Sequence, residues 1–397
     1  MCRRRASHAC NASRSRHPCP TVGGRATVLA TREVSLVTLL LLSGCPIDGT
    51  GLGDTPDTSG ETGADSGDDN GFHCDVAEDG SATYAQIQDA VDASTDGDTI
   101  RVCPGTYGAV ELRGRAVTLL GADRATTFIR GTTSAAALSV QSGTVSVDGF
   151  TLAGSSTLTG GAFDMTEGVA TLTNMRVTAS GGPVGFWQHD GDLSCDHVDV
   201  EDNLGDGTNS VLAIGPDART EWAHSWFRDN SNASFLMGVQ GAISLHNNIF
   251  AHNSFVAAGV SISSWENGGQ VTRADNNVFY DNRSMLEDGN RWVLSVSGSG
   301  ALAQGNIVQG SNVEAMSSGS SGDASWNLVF DVEAGDAPSG TGNLSVDARF
   351  TNPDADDFTL DSLSPAIDAG NPEDAYNDAD DSRNDIGAWG GPGGAGW

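Results

Sequence analysis

The feature that most constrains this chain is a short phrase that recurs along its middle. It reads DGFTL at 148–152, TNMRV at 173–177, DHVDV at 196–200, HSWFRDN at 224–230, NNIFAHN at 247–253, NNVFYDN at 276–282, GNIVQG at 305–310, WNLVF at 326–330 and GNLSV at 342–346. Its second position falls at Gly149, Asn174, His197, Ser225, Asn248, Asn277, Asn306, Asn327 and Asn343, in steps that average about 24 residues. A period of that length is one rung of a solenoid in which each unit buries its apolar face only against its neighbours. Stacked strands pair at about 4.8 Å, so like side chains line up from rung to rung. That alignment predicts an inward column of Phe150, Met175, Val198, Trp226, Ile249, Val278, Ile307 and Leu328. Six of the nine phrases carry Asn at the second position, a residue that tolerates left-handed backbone and whose amide can bond the rung above or below. Gly, Ser, Thr and Asn fill the segment without a 3.6-residue period, which excludes a helical repeat. The leucine pattern of leucine-rich repeats and the GGxGxD text of calcium-binding rolls are both missing.

The ends of this region carry their own signals. Tyr84, Ile87, Ala90 and Val91 share one helical face in a segment ending at Ala93, with Thr83 as the expected N-cap. Thr99–Cys103 reads as a strand, Pro104-Gly105-Thr106-Tyr107 as a turn, and Val117–Gly121 as the next strand. This order resembles the N-terminal cap of pectin-lyase-like right-handed β-helices, including the pectin methylesterase branch. The resemblance implies that the helix plugs the open end of the coil. At the other end, SPAIDAG at 364–370 and the later Arg383-Asn-Asp-Ile-Gly-Ala-Trp389 resemble the closing segment of bacterial surface proteins called choice-of-anchor Q proteins. Asp381 stands where a glycine is common in them, and the chain ends at Gly-Trp397 without a sorting tail. The expected fold is therefore all-β, a right-handed parallel β-helix of about 9–11 rungs with a short N-terminal capping helix.

Before the coil, residues 34–42 form an apolar run of nine, too short to span a bilayer and suited to a signal-peptide core. Leu42-Ser43-Gly44-Cys45 follows and resembles the bacterial lipobox, which implies lipidation of Cys45 and anchoring at the outer membrane or cell surface. Residues 1–44 read as the leader, and its first 27 residues, Arg-rich and bearing Cys2, Cys10 and Cys19, read as preceding the true start. Residues 45–72 are a Gly/Asp/Thr/Ser tether of about 25–30 Å reach. The β-helix is expected over 73–363 and a C-terminal cap over 364–397. An exported chain meets an oxidising compartment, which pairs Cys74 with Cys103 and leaves Cys195 as a buried thiol. No Cys/His spacing suggests zinc.

Composition narrows the chemistry. The chain carries 20 Arg, no Lys and 52 acids, for a net charge of −32. Such a surface repels nucleic-acid backbones and anionic headgroups, so membrane contact is expected through the lipid anchor only. A calcium-assisted lyase needs clustered Asp and a cationic base. Arg228, Arg273, Arg283 and Arg291 lie near Asp229, Asp275 and Asp281, but these acids mostly follow the repeat and read as turn residues. The polygalacturonase and methylesterase texts are missing. Five of eight tryptophans fall on the middle rungs. Trp187, Trp265 and Trp292, with His189, Glu266 and Arg291 beside them, are the candidate carbohydrate-binding residues. Asp378, Asp380 and Asp385 are a candidate Ca²⁺ set, with no cofactor required. The reading is a monomeric, non-catalytic surface scaffold or adhesin that binds polysaccharide or another cell-surface partner. The alternative is a lyase or esterase acting on acidic glycans.

Overall fold

The computed structural model describes residues 72–397 apart from 156–160, 179–184, 264–271, 287–290, 299, 319–321 and 334–337. Cys45, the leader and almost all of the tether lie outside the described residues. The chain coils into a parallel β-solenoid with three faces. The first begins at Asp98–Val102 and Arg115–Gly121 and continues through Arg219–Ala223 and Ala242–His246 to Asp323–Ser325. The second runs from Gly105–Tyr107 through Trp226–Arg228, Ile249–Ala251 and Val278–Tyr280 to Leu328–Phe330. The third runs from Val110–Leu112 through Phe186–Gln188 and Ser210–Ile214 to Glu314–Ser318. Each strand pairs in parallel with its equivalents on adjacent rungs.

Two corners of the rung follow one design. A residue in the left-handed region turns the chain, and a buried Asn follows it. At the corner between the first and second faces the pairs are Asn247-Asn248, Asn276-Asn277, Gly305-Asn306 and Trp326-Asn327. At the corner after the second face they are Asp202-Asn203, Asp229-Asn230, His252-Asn253 and Asp281-Asn282. Asn and Asp accept positive φ more readily than branched residues, which explains much of the choice at the turning position. The following Asn satisfies the backbone that the turn would orphan. The Asn248 backbone N–H and side-chain amide both donate to Asn277 Oδ1 at 3.0 Å, and Asn277 donates to Asn306 in the same way. The second ladder links Asn203, Asn230, Asn253 and Asn282 through side-chain bonds of 2.9 Å.

The strand register corrects the expected columns. Val198 lies level with Ser225, because Asp199 pairs with Trp226 and Val200 with Phe227. His197 and Asn174 are therefore turning residues, not ladder residues, with φ of 54° and 50°. The ladder column is apolar at Phe150, Met175 and Val198 and becomes polar only from Ser225 onward. Trp226, Ile249, Val278, Ile307 and Leu328 point outward, level with Arg176 and Asp199. The inward column of that face is Phe227, Phe250 and Phe279, whose rings stack at 4.3 and 4.7 Å. The alignment slipped because both columns are apolar in the later rungs, so hydrophobicity alone could not choose between them.

The C-terminal segment explains that second apolar column. Instead of only closing the coil, it turns back along the flank as a strap. Gly387 N–H donates to Gly305 O at 2.8 Å. The Asn276 side chain donates to Asn384 Oδ1 at 2.9 Å and to Asp385 O at 2.8 Å, and that of Asn247 to Ala388 O and Gly390 O at 2.8 Å. Beneath it Ile249, Val278, Ile307 and Leu328 join Phe350, Phe358, Ile386 and Ala388 in an apolar cluster separate from the interior core.

At the N-terminal end the helix is Ile87–Ala93, shorter than expected, with Gln86 at the N-cap position and no side-chain cap. Tyr84 instead bridges to Val76, so Thr83 is not the cap. Ile87, Ala90 and Val91 are buried over the first rung, and Arg115 donates to the helix-terminal carbonyls of Val91 and Ser94. Cys74 and Cys103 are bonded with Cα atoms 5.4 Å apart, and Cys195 is a buried thiol. Closing a loop with sequence separation 29 contributes about 3–4 kcal/mol.

Candidate functional site: an open trough on the third face

The third face alternates as a strand must. Phe186 and Gln188 point inward while Trp187 points out. Following the register outward, Trp187 is level with Asp164 and Ser139 on one side and with Ala213, Gly238, Ser261, Ser295 and Ser317 on the other. Small residues in the central outward column leave a floor between taller side chains. At Gly238 a Cβ would sit 2.5 Å from Ser210 Oγ, so a larger residue there would have to displace that hydroxyl. The result is a trough along the solenoid axis. Its deep end, about 950 Å³, lies between the capping helix and Trp187. A stretch of about 380 Å³ continues from Trp187 to Phe235, and one of about 390 Å³ from Phe235 to Trp292.

Three aromatic residues punctuate this trough. Trp187 is 41% exposed, and its indole stacks on the His189 imidazole with centroids 4.4 Å apart and planes 14° apart. His189 Nε2 lies 3.1 Å from Asp164 Oδ1, which fixes the imidazole behind the indole. Phe235 stands two rungs further on, and Trp292 two rungs beyond that. Two rungs are about 10 Å. Trp292 Nε1 donates to Glu314 Oε2 at 2.9 Å, which fixes its ring. Phe235 was not among the sequence candidates: it sits in the run Phe235-Leu-Met237, which reads as core, and only the register turns it outward.

The other candidates divide. Arg291 is buried and donates to the Leu286 carbonyl, so it holds a loop, and it lines the trough stretch between Phe235 and Trp292. Trp265 and Glu266 lie outside the described residues. Trp226 is neither interior nor in the trough; the strap covers it, with Phe358 and Trp397 centroids at 5.8 and 6.0 Å. Asp378, Asp380 and Asp385 serve the strap's own backbone. Asp378 accepts from Asp385 and Gly391 N–H, Asp380 from Ser382 N–H at 3.0 Å, and Asp385 from Asp368 N–H at 2.7 Å. Burial pushes the Asp378 carboxyl up to about 6 against those bonds, a group short of solvation with nearby acids adding to the rise. Burial likewise drives the Cys195 thiol well up, so it is inert. Of the acids near the repeat, Asp229 and Asp281 occupy turning positions, while Asp275 is paired with Arg273.

No family model matches the sequence, and no curated protein does. Solved structures do. A pectate lyase, Pel9A, superposes with a TM-score of 0.50 at 12% identity, covering 77% of this chain and 90% of its own. The pectin methylesterase from carrot gives 0.32 at 14% identity, covering 72% and 90%. The A-module of the Azotobacter vinelandii mannuronan C-5 epimerase AlgE4 gives 0.32 at 15%, covering 65% and 89%. At these identities the likeness concerns architecture alone, and the chain is a parallel β-solenoid of the pectate-lyase-like kind.

Proposed function

We propose that this protein is a surface-exposed bacterial lipoprotein, held by Cys45 on a flexible tether, whose third-face trough binds a neutral polysaccharide without cleaving it. The observation that carries this reading is the series Trp187, Phe235 and Trp292 along a floor of small residues. Aromatic faces pack on the apolar faces of sugar rings. Phe235 and Trp292 share one register column about 10 Å apart, of the order of a disaccharide, and Trp187 stands two rungs before Phe235 and three residues to one side of that column. The trough runs for roughly 30–35 Å, which suits a chain more than a single sugar. Asp92, Glu111, Asp164 and Glu314 lie along it against Arg113, Arg115 and Arg291, and in a protein of net charge −32 the balance disfavours an anionic glycan. The ligand is bound without a required cofactor, and the protein acts as a monomer.

Affinity electrophoresis of the purified chain through gels containing glucan, mannan, xylan, polygalacturonate or alginate tests the reading. At least one neutral polymer should retard the protein, and Trp187→Ala and Phe235→Ala should each restore most of its mobility. Retardation by the anionic polymers alone, or retardation unchanged in both variants, rejects it. The anchor is tested separately: Cys45→Ala should move the protein out of the membrane fraction.

A second reading has one specific observation behind it. His189 and Asp164 form an imidazole–carboxylate pair at 3.1 Å beside the best aromatic platform, the arrangement of a general base and its orienting partner. Lyase action on polyuronates would release unsaturated products absorbing in the ultraviolet. Their appearance with wild type, and loss in His189→Ala, would favour the enzyme.

A further inference from the structure

The corner between the first and second faces carries His where other rungs carry Asn, Gly or Trp. His197 and His224 occupy consecutive turning positions, with φ of 54° and 45°, and Asp196 precedes the first of them. Their surroundings are unusual in one respect. His224 Nδ1 lies 2.7 Å from Asp196 Oδ1, and its Nε2 lies 2.8 Å from Gly393 O. Both oxygens only accept, and a neutral imidazole has a single N–H to give. This side chain is 12% exposed, so water relieves little of the mismatch. One contact therefore needs a positive charge, either a second proton or a metal ion.

The neighbours favour the ion. His197 Nδ1 lies 3.1 Å from Asp196 Oδ2 on the same carboxylate, and the ligand atoms of Asp196, His197 and His224 all fall within 4.8 Å of one another. Rung stacking sets two adjacent corner residues about 4.8 Å apart, close enough for both rings to lean onto a shared ion. Ligation through Nδ1 would place the remaining His224 proton on Nε2, donating to the Gly393 carbonyl. That is the second-sphere bond metal-bound histidines usually make. We infer that Asp196, His197 and His224 form a binding site for a divalent first-row transition metal, Zn²⁺ in the first instance, which ties the solenoid corner to the end of the C-terminal strap.

Two imidazoles and one carboxylate suit Zn²⁺, Co²⁺ or Ni²⁺ rather than Ca²⁺, which takes six to eight oxygens. Asp196 and His197 are 43% and 45% exposed, so a fourth position faces water. The link to the strap is direct. His224 bonds Gly393, and the Trp397 ring lies 5.9 Å from the His224 ring and 6.4 Å from that of His197. A filled site would hold the last turn of the chain against the corner. The inference is independent of the glycan reading, because the trough lies on a different face.

Chelator-treated full-length protein titrated with Zn²⁺ by calorimetry tests it. Wild type should bind one equivalent more than His197→Ala or Asp196→Asn, and only wild type should gain several degrees of melting temperature from the metal. Co²⁺ should give visible d–d bands in wild type that both variants lack. His252→Ala, on the other corner, should behave as wild type. His197 and Asp196 are half-exposed, so the variants are expected to fold; their circular dichroism checks this. Equal Zn²⁺ stoichiometry in wild type and both variants, or a stabilisation they share, overturns the site.

Discussion

The second and third faces start from the same strand geometry and end with opposite surfaces. On the second face the outward column turns large and apolar from Trp226 onward, through Ile249, Val278, Ile307 and Leu328, and the protein covers it with its own strap. On the third face the outward column is small and polar, with aromatic residues at intervals, and no described segment lies over its trough. The difference teaches how to separate apolar surface meant for the fold from apolar surface left to a ligand. A continuous apolar column has an internal partner. An interrupted one, with Trp187 fixed by His189 and Trp292 by Glu314, is built to stay open. Upstream of the strap the second face confirms the rule: Arg176, Asp199, Glu201 and Arg124 occupy its outward surface and pair with one another.

The largest effect should come from removing the strap. A chain lacking residues 348–397 exposes four fully buried aliphatic side chains, each worth about 1.5–3 kcal/mol. Together they rival the stability of a typical domain. We expect aggregation, or loss of the cooperative thermal transition, measured by calorimetry and light scattering. A soluble, cooperatively melting truncation would erase the distinction between the two faces.

The Asn ladder comes next. Asn277 Oδ1 accepts from Asn248, and Asn277 donates to Asn306, Leu245 O and Asp275 O. Asn277→Leu leaves these buried groups unpaired and should cost about 1–3 kcal/mol in denaturant unfolding. Asn209→Leu, at an exposed loop residue whose side chain bonds only to nearby Asp206 and Thr208, should cost less than about 0.5 kcal/mol. Equal costs would mean that the ladder is incidental.

A smaller effect is pH-dependent and confined to the strap side. The folded pKa of Asp378 is raised to about 6 by burial, so its ionised form is a burden above that pH, relieved as pH falls toward 4. Glu221 raises His246, whose contribution is full below its unfolded value and is lost as pH rises through its folded one. Both predict a more stable strap near pH 5.5 than near pH 8. After allowance for solvent screening the Asp378 share between those two pH values is about 0.5 kcal/mol. Proteolysis of the strap should slow accordingly at the lower pH, and Asp378→Asn should flatten the dependence. The smallest stability change belongs to the trough. Trp187→Ala should shift unfolding by less than about 0.5 kcal/mol while removing ligand retention.

These contrasts also explain what was legible in advance. The rung period and the Asn at Asn248, Asn277, Asn306 and Asn327 follow from local turn chemistry, which is written in consecutive residues. The second ladder was not read, although its Asn close the phrases HSWFRDN, NNIFAHN and NNVFYDN. Facing was not legible. An apolar column is inward or strap-covered depending on a segment many residues away, so Trp226 was misplaced. For the same reason Phe235 looked like core, Arg291 looked available, and the His197–His224 pair, 27 residues apart in sequence, showed no metal spacing.

The most direct test of the trough is hydroxyl-radical footprinting of the full chain with and without the neutral polysaccharide that retards it. The account predicts protection of Trp187, Phe235 and Trp292, with Leu363 and Ile367 on the strap side unchanged. Protection of the strap with none at the three aromatic residues would contradict it.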